Sequence, residues 1–287
     1  MALRVGFVGL GNIGKPMARR LVAAGLETSV LDTLRAPIDE LVREGAKPAS
    51  SPRDLAARAD VIGVCVRDDA DVRAVFAGED GLLAGAAPGC VIAIHSTILP
   101  STVREMGAAA AARGVGLLDA CVTGGAAKAA TGELTYIVGG EPADLERCRA
   151  AFETSAALIV HTGPLGSGAA TKLCNNLMTY LAWLSAFESL HLARAAGLSQ
   201  EKLEEVTRSN GNLTEPMRAF LALHKAPAET RQSSGFQATM RSFVTLAEKD
   251  LAVTLAFARE CGVALPGTGL VSQLMARLYG LEDSGRR

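Results

Sequence analysis

Seven short apolar runs alternate with helix-like segments over roughly the first 160 residues of the chain. The runs are Val5–Val8, Ser29–Leu31, Val61–Val66, Val91–Ile94, Gly116–Leu118, Thr135–Val138 and Leu158–Val160. Helix-start signals lie between them, such as Ser51-Pro52 before the segment Arg53–Ala59. Strands that alternate with helices form a parallel sheet with helices on both faces. We therefore expect a doubly wound α/β domain over residues 1–163.

The pattern changes after the segment Gly163–Gly168, which is rich in glycine. No glycine or proline occurs from Ala169 to Ala196, so the sequence predicts one long helix there. Beyond this helix only further helices are expected. Their predicted breaks are at Gly197, Asn210-Gly211-Asn212, Ala226-Pro227, Gly235 and Pro266-Gly267. We expect residues 164–287 to form an all-α domain, joined to the first domain by the long helix.

Charge and cysteine usage argue against several functional classes. The 29 basic residues balance 30 acidic ones, so the chain has no excess positive charge with which to attract nucleic acid. The six cysteines contain no CxxC pair, so we predict reduced core thiols and no metal site. No signal-peptide pattern precedes the first strand, and the uncharged stretch Leu173–Phe187 is shorter than the roughly 20 apolar residues of a membrane span. A cytoplasmic protein without a membrane partner is expected.

A glycine-rich turn joins the first predicted strand to a predicted helix over Lys15–Ala24. Its residues are Gly9, Leu10, Gly11, Asn12, Ile13 and Gly14, in the pattern GxGxxG. Gly9 would permit the tight turn, Gly11 would let the backbone approach a pyrophosphate, and Gly14 would let the helix pack on the strand. The helix N-terminus would then bind the anion. We interpret the turn as a dinucleotide-binding site; a turn that packs without a ligand is the alternative.

Asp32 lies eighteen residues after Gly14, at the end of the second predicted strand. A carboxylate in that position binds the hydroxyls of the adenosine ribose, and its charge repels a 2′-phosphate. Arg35 lies three residues later and would partly offset this repulsion. NAD is therefore the expected cofactor and NADP the less favoured one; an ordinary surface aspartate is the alternative.

Four segments along nearly the whole chain resemble the β-hydroxyacid dehydrogenase family, which includes 3-hydroxyisobutyrate and tartronate semialdehyde enzymes. They are Gly9–Ala18 (opening motif), Leu118–Gly125 (substrate motif), Gly166–Asn176 (catalytic segment) and Glu248–Ala252 (C-terminal motif). The resemblance implies an N-terminal Rossmann domain joined by a long helix to an α-helical domain that shares in dimer formation. A homodimer or a higher homo-oligomer is therefore expected.

The resemblance assigns catalysis to Lys172 and Asn176. Hydride transfer to a carbonyl leaves an alkoxide that must gain a proton, which an ammonium group can supply. Lys172 is therefore the expected general acid/base for a small 3-hydroxy acid or its semialdehyde or oxo-acid partner. Asn176 is four residues later on the same helix face, where it can orient the substrate hydroxyl or the lysine. A solvated lysine with a routine polar neighbour is the alternative.

The remaining expected site residues follow predicted strands or belong to the C-terminal motif. Thr123, Gly124 and Gly125 come after a predicted strand end at Asp119, and their hydroxyl and backbone N–H groups could hold a substrate carboxylate. Glycines that only shape a turn are the alternative there. By the resemblance, Val66 and Arg67 border the nicotinamide, Thr97 approaches its riboside, Lys249 contacts the cofactor and Asp250 supports the site. A lysine–aspartate pair on a solvated helix face is the alternative for Lys249 and Asp250.

Some residues depart from the family's pattern and leave alternatives open. The family commonly has Leu-Pro at Val66-Arg67, so Arg67 either binds an acidic substrate or pairs with Asp68 or Asp69. His95 either touches the substrate pocket or makes a structural hydrogen bond. Tyr180 and Trp183 line the pocket or pack in the core. An imine reductase-like enzyme, for which Lys172 is an unusual proton donor, and a catalytically silent dinucleotide-binding protein are the alternative functions.

Overall fold

The computed structural model describes residues 3–281 and divides into two compact units between Lys172 and Leu173. The strands are β1 (Arg4–Val8), β2 (Glu27–Leu31), β3 (Lys47–Pro48), β4 (Val61–Val64), β5 (Val91–Ile94), β6 (Gly116–Thr123), β7 (Leu134–Gly139) and β8 (Ala156–Gly163). The helices that follow them in the first unit are α1 (Gly14–Ala23), α2 (Arg35–Arg43), α3 (Pro52–Ala56), α4 (Asp69–Phe76), α5 (Leu82–Gly85), α6 (Pro100–Ala111), α7 (Gly125–Thr131) and α8 (Pro142–Phe152).

The long helix α9 (Ser167–Ala195) begins in the first unit and continues into the second. The described part of the second unit contains α10 (Gln200–Ser209), α11 (Glu215–Leu223), α12 (Ala228–Gln232), α13 (Ser234–Glu260) and α14 (Pro266–Leu278). Its core is an apolar cluster that includes Leu190, Leu251 and Met275. The expected domain boundary after residue 163 stays a prediction. Within residues 3–281, no helix is both long and apolar enough to cross a membrane.

The strands form one sheet in the order β3-β2-β1-β4-β5-β6-β7-β8. Every residue of β4 and β5 is buried, as expected of strands that are covered on both faces. Along β5, Val91 and Ala93 belong to one apolar cluster while Ile92 and Ile94 belong to another, so the two clusters occupy opposite faces. The predicted Rossmann-type sheet with helices on both faces is confirmed.

The expectation of an entirely parallel sheet was wrong at one pair of strands. β7 runs antiparallel to β6, with Asp119 opposite Gly139 and Thr123 opposite Thr135. A parallel return needs a crossover of about a dozen residues or more, and here α7 and its short flanks provide fewer. The same pairing extends β6 to Thr123, so the predicted strand end at Asp119 was also wrong.

Two further differences have local causes. The two-residue strand β3 at the sheet edge was not predicted, because Lys47-Pro48 carries no apolar alternation. The break predicted at Gly235 lies inside the first turn of α13. Ser233 begins this helix by accepting a hydrogen bond from the backbone N–H of Phe236 at 3.3 Å.

Candidate active site

The carboxyl ends of five strands meet at one edge of the sheet, because β1, β2, β4, β5 and β6 are parallel neighbours. Ligands of open α/β sheets bind at this edge. The predicted site residues of the first unit that end or follow these strands are the glycine turn, Asp32, Val66, Arg67, Thr97, Thr123, Gly124 and Gly125. The sheet therefore brings to one edge the residues that the sequence scatters over more than 110 positions.

The three glycines of the turn meet three different surroundings. Gly9 has a φ of +91°, and a Cβ atom there would lie 2.2 Å from the carbonyl oxygen of Cys65. A Cβ on Gly14 would lie 2.0 Å from the carbonyl oxygen of Gly9. At Gly11, in contrast, a Cβ would meet no atom within 4 Å. Gly9 and Gly14 are thus required by the fold, whereas Gly11 leaves an open cradle that a ligand can approach.

The helix that follows the turn presents its N-terminus to this cradle. Its N-cap residue Ile13 makes no side-chain capping bond, so that side chain does not occupy the first-turn N–H groups. Leu10 is buried in the core, while Gly11 and Asn12 are exposed. A helix N-terminus of this kind binds anions, so the residues present fit the pyrophosphate of a dinucleotide.

Asp32 connects the end of β2 to the glycine turn. One carboxylate oxygen accepts a hydrogen bond from the backbone N–H of Leu10 at 2.6 Å, and the other accepts one from Leu34 at 2.7 Å. Oδ2 has a second lone pair for a further donor, such as a ribose hydroxyl, while Oδ1 also lies 3.5 Å from the hydroxyl of Thr33. The nearby guanidinium of Arg35 pairs with Asp39 at 2.7 Å on the exposed surface.

Ser96 links the loops that follow β4 and β5, and sequence reasoning did not assign it this role. Its hydroxyl accepts a hydrogen bond from the backbone N–H of Val66 at 2.9 Å and donates one to the carbonyl of Val66 at 2.8 Å. Asp69 adds a second link, because its Oδ1 accepts from the N–H of Leu99 at 3.0 Å. Thr97 lies between these two links. The pair of loops therefore holds Val66 and Thr97 in fixed positions.

Arg67 lies on the surface beside Asp71. Its Nε is 2.9 Å from an oxygen of Asp71, and 85% of its side chain is exposed. The expected alternative partners were wrong for local reasons: Asp68 caps α4 by accepting from the N–H of Asp71 at 2.9 Å, and Asp69 binds Leu99. An exposed ion pair of this kind contributes little to stability.

His95 is a buried residue of the core. Its Nδ1–H donates to the carbonyl of Ala120 at 2.7 Å, and its ring stacks on Phe7 at a centroid distance of 5.8 Å. Since a carbonyl oxygen can only accept, the proton must reside on Nδ1. Burial lowers the pKa of His95 to about 4, so the ring is neutral near pH 7. These contacts favour the structural alternative for His95.

Thr123 ends β6, and the two glycines after it form the start of α7. Gly124 has a φ of +128° and Gly125 a φ of +76°, a region of backbone space that other residues rarely adopt. Thr123 is half-buried and both glycines are exposed. The stem of Lys128 lies beside Gly124, since a Cβ there would be 3.0 Å from its Cβ and Cδ atoms. A hydroxyl, exposed backbone and a cation thus occur together at this end of β6.

Asp119 fixes the start of α9 to the sheet, a role that was not predicted. Its fully buried carboxylate accepts hydrogen bonds from the backbone N–H groups of Gly166 at 2.9 Å and Ala169 at 2.7 Å. Burial raises the pKa of Asp119, while these N–H groups lower it. The negative charge also suits the positive end of the helix. Asp119 therefore positions the first turn of α9, and Lys172 follows in the next turn.

In the second unit, Asp250 on α13 gathers three side chains. Its Oδ2 accepts from the amide of Asn176 at 2.8 Å and from the hydroxyl of Tyr180 at 3.1 Å. The ammonium of Lys249 lies 2.7 Å from its Oδ1. The structure thus connects the predicted residues Asn176 and Lys249 through the carboxylate that was expected to support the site.

The core alternative for the two aromatic residues of α9 agrees with their surroundings. Trp183 stacks on Phe220 with a centroid distance of 5.5 Å, and its indole donates to the carbonyl of Pro216 at 3.2 Å. Tyr180 is 7% exposed, and its ring makes a T-shaped contact with that of Trp183 at a centroid distance of 5.3 Å. Its hydroxyl, however, has the polar contact to Asp250 described above.

Comparison with known proteins identifies relatives over both units. A model described as the NAD binding domain of 6-phosphogluconate dehydrogenase matches residues 4–163. A model described as the NAD-binding region of NADP-dependent 3-hydroxyisobutyrate dehydrogenase matches residues 166–285. Similar curated proteins from Pseudomonas aeruginosa are an NAD-dependent L-serine dehydrogenase, 35% identical over 97% of this chain and 91% of the relative, and a 3-hydroxyisobutyrate dehydrogenase, 34% identical over 98% and 93%.

A solved structure shows the same fold. The 3-hydroxyisobutyrate dehydrogenase of Mycobacterium tuberculosis with L-serine has a TM-score of 0.82 and 28% identity, over 98% of this chain and 94% of that one. The chain belongs to the β-hydroxyacid dehydrogenase family. It is an oxidoreductase with an NAD(P)-binding domain that acts on the CH–OH group of its substrate.

Proposed function

We propose that the chain transfers a hydride between NAD and a small 3-hydroxy acid or its semialdehyde or oxo-acid partner, with Lys172 as general acid/base. The observation that carries the proposal is the anchoring of α9 by Asp119: the strand that fixes the start of this helix also ends at Thr123. Lys172 and Asn176 follow on one face of α9, four residues apart.

Each group of site residues has a separate role in the proposed reaction. The glycine turn and Asp32 would hold the dinucleotide, whose nicotinamide would accept a hydride as NAD⁺ or supply one as NADH. Lys172 removes the hydroxyl proton during oxidation and returns it during reduction. Thr123 and the backbone of Gly124 and Gly125 bind the substrate carboxylate. The expected contact of Lys249 with the cofactor is supported by its place beside Asp250, which also holds Asn176.

The experiment that tests this proposal measures NAD(P)H absorbance with a panel of three- and four-carbon hydroxy acids, including L-serine and 3-hydroxyisobutyrate. We expect Lys172→Ala to lower kcat by about 1,000-fold or more, because one general acid/base contributes about 100- to 10,000-fold. NADH binding, followed by fluorescence, should persist. Lys202→Ala is the matched control, since Lys202 is exposed and pairs with Glu205 at 2.9 Å. Near-full activity of Lys172→Ala would refute the mechanism.

The same panel distinguishes the alternative functions. Turnover of cyclic imines without turnover of hydroxy acids would indicate an imine reductase. NADH binding without any turnover would indicate a binding protein. The presence of Lys172 and Asn176 on one helix face supports the dehydrogenase instead.

The preference for NAD over NADP rests on Asp32. Its half-buried carboxylate lies at the end of β2 beside the glycine turn, where its charge opposes a 2′-phosphate. We expect Asp32→Ala to reduce the ratio of kcat/KM for NAD over NADP by about tenfold or more. Glu146→Ala removes an exposed carboxylate of equal charge that pairs with Arg149 on α8, and serves as the control. An unchanged ratio in Asp32→Ala would exclude Asp32 from the cofactor site.

Assembly into a homodimer or a higher homo-oligomer is part of the proposal. On α9, Met178 is 75% exposed and Leu192 is 73% exposed. Exposed apolar side chains of this size are typical of a surface that packs against another chain. Light scattering at micromolar concentration should give at least twice the mass of the chain. We expect Met178→Glu together with Leu192→Glu to produce monomers; a monomeric wild type would contradict the proposal.

A further inference from the structure

We infer that Tyr180 is a positioning residue for Asn176. Its hydroxyl holds Asp250, and Asp250 in turn orients the Asn176 amide so that the oxygen of Asn176 is the hydrogen-bond acceptor in the reaction. This inference rests on the proposed function and deepens it. It assigns a task to a hydroxyl that the general acid/base chemistry of Lys172 does not use.

The orientation of the Asn176 amide follows from the chemistry of its partner. An ionised carboxylate can only accept hydrogen bonds. The group of Asn176 that lies 2.8 Å from Asp250 Oδ2 is therefore its NH2 group, and its carbonyl oxygen faces away from Asp250. The contact of that oxygen within the helix is long, at 3.4 Å from the amide of Asn175. Asn176 thus offers an acceptor to a substrate hydroxyl or to an ammonium on its own helix face.

Tyr180 completes the coordination of the same carboxylate oxygen. Its hydroxyl donates to Asp250 Oδ2 at 3.1 Å, while Lys249 lies 2.7 Å from Oδ1. Tyr180 follows Asn176 by four residues on α9, so both donors project from one helix face towards α13. Asp250 thus accepts two hydrogen bonds at Oδ2 and pairs with the ammonium of Lys249 at Oδ1. These contacts on both oxygens fix the rotation of the carboxylate.

Burial makes the orientation of the Asp250 carboxylate depend on its protein partners. Asn176, Tyr180 and Asp250 are 8%, 7% and 4% exposed, so water is not available to replace a lost donor. Burial, and then the charge of Asp250, raises the pKa of the Tyr180 phenol. The phenol therefore remains a donor at every pH at which the enzyme works. Without the Tyr180 hydroxyl, the Asp250 carboxylate can rotate towards Lys249. The amide of Asn176 is then no longer held in one orientation.

The activity test compares two tyrosines of the same apolar cluster. Tyr180→Phe removes only the hydroxyl on Asp250, whereas Tyr279→Phe removes a buried hydroxyl for which the described residues show no hydrogen bond to Asp250. We expect Tyr180→Phe to lower kcat about tenfold with little change in KM for NAD, and Tyr279→Phe to change kcat less than twofold.

A double-mutant cycle separates positioning from general damage. In an Asn176→Ala background, Tyr180→Phe should lower kcat no further, because its target is already gone. A merely structural role would lower kcat equally in both backgrounds. That result, or an unchanged kcat in the single variant, would overturn the inference.

A second readout does not depend on turnover. In protein labelled with 15N-asparagine, the side-chain amide resonance of Asn176 is identified by its loss in Asn176→Ala. Tyr180→Phe should shift this resonance, and Tyr279→Phe should leave it in place. If the wild type turned over no hydroxy acid, the proposed function would fail, and this shift alone would decide the inference. An unmoved resonance in Tyr180→Phe would refute it.

Discussion

The two units hold their functional groups in different ways. In the first unit, main-chain groups form most of the proposed cofactor site: the glycine turn, the N–H of Leu10 and both polar groups of Val66. In the second unit, side chains from two helices meet at the Asp250 carboxylate. The first site is built from backbone conformation and the second from side-chain chemistry.

This difference determines which changes each site tolerates. A site shaped by the main chain should fail when a glycine is replaced, because a Cβ meets neighbouring backbone that cannot move. A site held by side chains should fail when one shared partner is removed, since several donors lose their acceptor together. Substitutions in both units test this difference.

The largest effect is expected for Asp250→Ala. This change removes the buried carboxylate that accepts from Asn176 and Tyr180 and that forms the ion pair with Lys249. The free energy of unfolding should fall by about 3–5 kcal/mol, as measured by urea denaturation. Glu205→Ala, which removes an exposed carboxylate paired with Lys202 on α10, should cost less than about 1 kcal/mol. A loss below about 1 kcal/mol for Asp250→Ala would show that the carboxylate does not organise this unit.

A somewhat smaller effect is expected for Gly9→Ala in the first unit. The new Cβ would lie 2.2 Å from the Cys65 carbonyl oxygen at a φ of +91°. The free energy of unfolding should fall by about 3 kcal/mol. Gly11→Ala is the matched control, because its Cβ meets no atom within 4 Å. It should cost under about 1 kcal/mol yet weaken NADH binding. Equal stability of the two variants would contradict the backbone-built site.

The pH dependence of stability should show a contribution from a buried histidine in each unit. Burial lowers the pKa of His95 and of His224 to about 4, with Arg194 adding repulsion at His224. The unfolded chain therefore binds protons that the folded chain refuses between about pH 6.5 and 4. From pH 7 to pH 5 each histidine should remove about 2 kcal/mol from the free energy of unfolding. His95→Gln should flatten this dependence; an identical slope would refute the assignment.

The smallest effect is expected for Ser96→Ala. It removes one hydroxyl that serves both the N–H and the carbonyl of Val66. The free energy of unfolding should fall by about 1–2 kcal/mol, and the Kd for NADH should rise as the two loops separate. Ser29→Ala is the control, since that serine is buried in β2 and the described residues show no side-chain hydrogen bond from it. Indistinguishable Kd values would exclude Ser96 as a link.

The sequence predicted the features that are local along the chain. The strand, turn and helix around Gly9–Gly14 lie within a few residues of each other, so their spacing alone indicated both fold and ligand class. The reversal at β7 escaped prediction because apolar runs carry no information on strand direction. Only the shortness of the connection through α7 indicates it.

Contacts between distant residues could not be predicted in the same way. Ser96 and Val66 are 30 residues apart, and Asn176 and Asp250 are 74 apart. Their meeting depends on which strands and helices are neighbours, and hydrophobic periodicity does not encode that order. Asp119 belongs to the motif Leu118–Gly125, yet its hydrogen bonds to the start of α9 depend on the arrangement of the strands in the sheet.

The length of β6 has a consequence for how this enzyme can change its substrate. Asp119 and Thr123 lie on the same face of the strand, four residues and about 13 Å apart. Adding or deleting one residue between them would turn one of the two side chains to the opposite face. Strand β6 therefore sets a fixed distance between Asp119, which anchors α9, and Thr123, the expected carboxylate contact. A change of substrate is therefore expected to come from exchanges of side chains near this strand, such as Thr123 or Lys128, and not from a change in its length.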